Sequence, residues 1–148
     1  MENSVSNIAV ISFPRTASKA LTKWYSDKLN KIPAYGVLHK PEYLGKNDYN
    51  KEEVIFSHKY VLHGHWHSLF LLEDHLLDYI RLNYNIVTCY RQKTLVKESL
   101  ERITNRNDLF DTLLTNSSIE RQRWPIWKSH VVAGDKIETV QNSPKGFC

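Results

Sequence analysis

The sequence predicts a three-layer α/β fold, with a central parallel sheet of about four to five strands flanked by helices. Two runs, Ile8-Ala9-Val10-Ile11-Ser12-Phe13 and Asn85-Ile86-Val87-Thr88-Cys89-Tyr90, are short, rich in β-branched residues and free of polar alternation, as strands covered on both faces require. Each leads through a loop into a segment with apolar residues at helical spacing. That alternation makes a parallel sheet, in which ligands sit at the carboxyl ends of the strands. At 148 residues the chain reads as one domain, 1–148, long enough to bury a core without metal or disulfide staples.

Taken in order, strand one covers 8–13 and is stopped by Pro14. After the loop 14–17, Leu21, Trp24, Tyr25, Lys28 and Leu29 recur on one helical face, Lys28 through its aliphatic stem, and Ser18 is placed to cap the start. Residues 31–53, with Pro33, Gly36, Pro41 and Gly45, are turns that hold at most a short strand near 35–38. Val54-Ile55-Phe56 and Tyr60-Val61-Leu62-His63 are extended candidates, and Gly64 lets the chain turn after the second. A helix over 68–82, the strand 85–90 and a helix over 94–105 follow, then a helix over 119–130 containing Pro125 and a last strand at 137–140.

Charge and cysteine content narrow the class only a little. Twenty Lys and Arg against sixteen Asp and Glu give +4, a bias suited to an anionic ligand and equally to nucleic acid, though no aromatic-plus-basic recognition motif supports the latter. Only Cys89 and Cys148 are present, which is no disulfide framework and fits a reducing compartment. The start, Met1-Glu2-Asn3-Ser4, has no basic region before an apolar stretch, and the longest apolar run, at 69–72, cannot span a membrane, so a cytoplasmic protein is expected.

The loop Phe13-Pro14-Arg15-Thr16-Ala17-Ser18-Lys19-Ala20-Leu21 joins a buried strand to a helix, so backbone N–H groups and the helix dipole favour an anion there, with Arg15, Ser18 and Lys19 as further donors. A simple strand-to-helix turn with incidental basic residues is the alternative. The glycines of a nucleotide-hydrolase P-loop are absent, and Ala20 follows Lys19 where that motif has Ser or Thr, which counts against a magnesium-dependent kinase. Further on, Arg91 closes the second buried strand and Ser99 lies eight residues later in the next helix; an arginine fork and a hydroxyl so placed suit a phosphate monoester.

These two segments resemble the sulfotransferase family. Pro14, Arg15, Thr16 and Ser18 match its 5′-phosphosulfate loop; Ala17 stands where the family has glycine, which leaves the loop workable only if that residue keeps a negative φ and its methyl group does not crowd the phosphate, while Lys19 and Ala20 replace a hydroxyl residue and a tryptophan. Arg91 and Ser99 match the pair that binds the donor's 3′-phosphate, although Gln92-Lys93 replaces the usual Asp-Pro. The matches span 8–102, and Pro144-Lys145-Gly146 is faintly similar to an element that closes over the same phosphate. The resemblance implies a P-loop-like topology and 3′-phosphoadenosine 5′-phosphosulfate (PAPS) as donor, contacted by Arg15, Thr16, Ala17, Ser18, Lys19, Arg91 and Ser99.

His58, His63, His65 and His67 cluster within ten residues, and the last three share one face if the strand stays extended. Zinc coordination, simple core packing and general-base catalysis are all open to them, but Gly64 is expected to break the extended geometry, and no metal is assigned. By resemblance, His65 matches the family's base, with His63 in reserve. Trp66, Trp124 and Trp127 could line an apolar acceptor pocket or belong to the core. The expected activity is thus in-line sulfuryl transfer from PAPS to a hydroxyl or amine of a small molecule or glycan, with Arg15 offsetting leaving-group charge. No nucleic-acid or membrane partner is expected. A P-loop-type small-molecule kinase, or a nucleotide-binding degenerate sulfotransferase without activity, is the alternative.

Overall fold

The computed structural model describes residues 7–38, 50–133 and 136–140. Its six-stranded sheet has the order β2-β3-β1-β4-β5-β6. The central strand β1 (Ile8–Ser12) pairs in parallel with β3 (Tyr60–His65) and β4 (Asn85–Tyr90). Outside these, β2 (Ile32–Ala34) joins β3 and β5 (Lys128–Ala133) joins β4, both in parallel, while β6 (Lys136–Val140) runs antiparallel to β5. The sheet therefore carries one strand more than the upper end of the expected range, and the extra edge strand is the antiparallel one.

The missing polar alternation in β1 has the predicted cause. Ala9 and Ile11 pack into one core with Leu38, Ile55, Leu62, Leu69 and Ile80, whereas Ile8 and Val10 pack into another with Leu21, Tyr25, Val61 and Cys89. The first core is covered by α2 (Lys51–Ser57), a 3₁₀ helix (Trp66–Leu71) and α3 (Asp74–Asn83), the second by α1 (Ser18–Leu29). A third cluster of Phe13, Val96, Leu100 and Phe110 fixes α4 (Lys93–Thr104) and α5 (Leu109–Arg121) beside the end of β1. Helices on both faces of one sheet are the three layers the sequence predicts.

Several local expectations are corrected. Ser18 is not the cap of α1; Ala17 occupies that position at φ 64°, and the cap makes no side-chain hydrogen bond. Trp24 is about half exposed, with Lys28 Nζ 4.7 Å over its ring, because the inner face of α1 is instead Ser18, Leu21, Thr22, Tyr25 and Ser26. Thr22 and Ser26 can be buried there because each hydroxyl donates to the carbonyl one turn back, at 2.7 and 2.8 Å. The short strand lies at Ile32–Ala34 and is followed by a turn over 35–38.

Val54-Ile55-Phe56 is helical, in α2, since Asn50 Oδ1 accepts the Glu53 N–H and Glu52 and Glu53 place negative charge in the first turn. Gly64 does not turn the chain: β3 runs through it to His65, and the glycine is needed because a Cβ there would lie 2.4 Å from Leu38 Cβ. The segment 68–82 splits into the 3₁₀ helix and α3. Pro125 lies between α5 and β5 instead of inside a helix, whose interior it would break. No described helix is long and apolar enough to cross a membrane. Pro144-Lys145-Gly146 and Cys148 lie outside the described residues.

Candidate functional site

The carboxyl ends of β1, β3 and β4 open onto a cavity of about 450 Å³. Its lining comes from the β1–α1 loop and first turn of α1 (Arg15, Ala17, Ser18, Lys19, Ala20), the end of β3 (His63, His65), Arg91 after β4, and Val132 and Ile137 from the outer strands. Three cations and two imidazoles thus converge, with no carboxylate among the described lining residues. The first-turn N–H groups of α1 have no intrahelical partner by position, and the helix N-terminus adds positive potential. The arrangement is suited to an anion.

The loop reaches this shape through two left-handed residues, Arg15 at φ 65° and Ala17 at φ 64°. The condition of a negative φ at Ala17 is therefore not met: the loop has the backbone a glycine usually supplies, without the glycine. Thr16 between them is fully buried, its Oγ1 donating to Phe13 O at 2.6 Å and lying 3.1 Å from Ser12 Oγ. That hydroxyl closes the loop from beneath and does not line the cavity.

Arg91 and Ser99 do not flank one open position. Arg15 Nε donates to Ser99 Oγ at 2.9 Å, and Arg91 Nη1 donates to the Arg15 carbonyl at 3.1 Å. Ser99 is buried and absent from the lining, so it anchors Arg15, while Arg91 reaches the cavity itself. Both contacts hold the left-handed Arg15 in place from segments 84 and 76 residues away.

Of the histidines, His63 is buried in β3, with Gly36 N–H donating to its Nδ1 at 2.9 Å and its Nε2 2.9 Å from Ser18 Oγ. His65 ends the strand, its ring centroid 5.5 Å from that of His63. His67 stacks on His65 from the 3₁₀ helix but belongs to a different cleft with Trp66 and Phe70. His58 sits away from the cavity, Nε2 2.6 Å from Tyr79 Oη. Among the described residues only the exposed Glu52, Glu73 and His75 bring three ligand atoms within 4.8 Å of one another, so His63, His65 and His67 do not form the zinc geometry considered from their spacing. The tryptophans form no acceptor pocket at the cavity: Trp66 and Trp124 are core, and Trp127, whose N–H reaches Ile86 O, sits at the opposite end of β4.

Other titratable groups lie in the core on the α1 side of the sheet. Burial pushes the Cys89 thiol up to about 12, which leaves it a poor nucleophile, and burial with Cys89 nearby pushes Tyr25 up to about 12. Burial, helped by Lys128, holds His130 below its ordinary value; its Nε2 lies 2.8 Å from Tyr25 Oη. The Gly36–His63–Ser18 chain left no mark in the sequence, because its members are 27 and 45 residues apart.

No protein-family model matches the chain, and no curated protein matches it. Among solved structures it is similar to a shikimate kinase from Bacteroides thetaiotaomicron, at 12% identity over 79% of each chain with a TM-score of 0.52. It is likewise similar to a gluconokinase from Sinorhizobium meliloti 1021, at 15% identity over 86% of this chain and 82% of that one, with a TM-score of 0.53. These likenesses show the fold, a P-loop-kinase-like α/β arrangement. They overturn the reading of the chain as a PAPS-dependent sulfotransferase, since both of these solved structures are kinases and no sulfotransferase model matches. The physical source of the error is the loop: missing glycines counted against a kinase, yet Arg15 and Ala17 adopt the left-handed backbone those glycines would provide.

Proposed function

We propose that the chain binds a nucleoside triphosphate in this cavity and transfers its terminal phosphoryl group to a small-molecule acceptor. The observation that carries this reading is the convergence of Arg15, Lys19 and Arg91 on a cavity at the mouth of the β1–α1 loop, the place where an α/β sheet of this kind holds phosphates. Phosphoryl transfer is mostly positioning and charge stabilisation, which this set of residues offers.

Each residue then has a task. Lys19 and Arg15 offset the charge that grows on the bridging oxygen as its bond to phosphorus breaks and the nucleoside diphosphate leaves with the electron pair. Arg91 holds the outer phosphate oxygens. The acceptor oxygen forms the new bond to phosphorus, and its proton passes to His65 at the end of β3. His63 is not offered this role because Gly36 N–H already occupies the Nδ1 lone pair.

Kinases of this fold class commonly use magnesium, which favours oxygen ligands, usually including a carboxylate. The described lining offers cations and imidazoles and no carboxylate. That donor set fits the phosphates and not the metal, so no step is assigned to magnesium. The same observation favours, as a second reading, nucleotide binding without turnover.

Calorimetry with ATP, with and without magnesium, against 3′-phosphoadenosine 5′-phosphate tests the proposal. ATP should bind more tightly, and Lys19→Ala should weaken it roughly tenfold or more, as expected for a charge-assisted phosphate contact. Preference for the 3′-phosphorylated ligand would reject the reading; ATP binding without ADP formation across a panel of small hydroxyl acceptors would select the second.

A further inference from the structure

The direction of one buried hydrogen bond assigns a role to Ser18 and His63. A backbone N–H can only donate, so Gly36 N–H at 2.9 Å from His63 Nδ1 requires a lone pair on that nitrogen. The neutral ring then carries its hydrogen on Nε2, which lies 2.9 Å from Ser18 Oγ, and the serine oxygen is the acceptor. Protonating Nδ1 would set two donors against each other inside a residue that is 1% exposed. The polarity is therefore opposite to that of a serine activated by a histidine base, where the ring must accept the hydroxyl proton.

With one lone pair of Ser18 Oγ taken by His63, its own hydrogen turns away from the ring. Ser18 is buried yet lines the cavity, in the first turn of α1, and its hydroxyl donates to none of the described residues. A buried O–H requires an acceptor, and an anion among Arg15, Lys19 and Arg91 provides one. We infer that His63 is a positioning residue, fixed by Gly36 as the Nε2–H tautomer, that aims the Ser18 hydroxyl as a neutral donor at a phosphoryl oxygen of the bound ligand. This rests on the phosphate-binding reading above and rules Ser18 out as a nucleophile.

Two measurements on the intact chain test it. Nitrogen-15 NMR of the ligand-free protein near neutral pH should show His63 with a pyridine-type Nδ1 and a pyrrole-type Nε2; a hydrogen on Nδ1 overturns the inference whatever the ligand proves to be. In calorimetry with ATP and with inorganic pyrophosphate as probes, Ser18→Ala should lower affinity roughly tenfold for both, the usual effect of losing a hydrogen bond to a charged group. His63→Leu should cost a similar factor in wild type and little more in the Ser18→Ala background, and His63→Gln, whose amide can donate to Ser18, should recover part of it. Unchanged affinity in Ser18→Ala, or additive losses in the double variant, overturns the inference while leaving the proposed function standing. Failure of the wild type to bind either probe overturns both.

Discussion

Ala17 stands at φ 64°, in a conformation where an L side chain costs about 1 kcal/mol or more and glycine costs almost nothing sterically. Its neighbour Arg15, at φ 65°, has the same problem but is held by Ser99 and Arg91, whereas the Ala17 methyl group has no such polar anchor. Ala17→Gly should therefore stabilise the fold by up to about 1 kcal/mol, the relief of the methyl being partly offset by the greater freedom of glycine in the unfolded chain. Urea unfolding at fixed pH measures this, and a clear loss of stability would show that the alanine is better accommodated than its dihedral angle implies.

Among the elements, β3 depends on a glycine for reasons of space. Gly64 has no left-handed angle to justify it; a Cβ would stand 2.4 Å from Leu38 Cβ and 3.3 Å from Leu38 Cα, so the turn at 35–38 would have to move. Gly64→Ala should cost roughly 1 to 3 kcal/mol, as overpacking in a close-packed core does, and thermal melting checks it. An unchanged melting temperature would mean that this turn yields freely. The same turn carries Gly36, so displacement should also loosen His63. None of this was legible from the sequence, where Gly64 read as a place to turn. By contrast β1, β4, α1 and α4 were legible, because strands buried on both faces and helices at 3.6-residue spacing leave a pattern in neighbouring positions. The trio Val54-Ile55-Phe56 misled because its β-branched residues suit a strand, while the Asn50 cap and acidic first turn decide for helix. Arg15, Ala17, Ser18, Lys19, His65 and Arg91, all singled out from the sequence, line one cavity; Thr16 and Ser99 do not, because the direction of a hydroxyl is set by packing that no spacing rule reports.

For the molecule as a whole, the contact between Tyr25 on α1 and His130 on β5 ties the helical layer to the outer half of the sheet. His130 is held below its ordinary 6.5 by burial and by Lys128, so as pH falls the unfolded chain takes up the proton first. Stability from this group is full above about pH 6.5 and is lost as pH drops from there toward the native value. The denaturant midpoint should thus fall between about pH 7.5 and about pH 5.5, and less steeply in His130→Gln. Equal slopes in the two proteins would place the acid sensitivity elsewhere.

The position of β1 in the sheet bears on when this protein becomes able to bind anything at all. The strand that carries the loop is made before its neighbours on either side, β3 and β4, which follow much later in the chain. Arg15 waits for Ser99 across 84 residues, Ser18 for His63 across 45, and Tyr25 for His130 across 105. Contacts so distant along the chain are slow to close, and none can form before its later partner has been made. The anion site is therefore a late product of folding: a nascent chain that ends before β4 has made the loop but lacks both Arg91 and Ser99, which hold Arg15 in its left-handed shape. Ligand present during folding can act only near the end, by trapping chains whose sheet is already assembled.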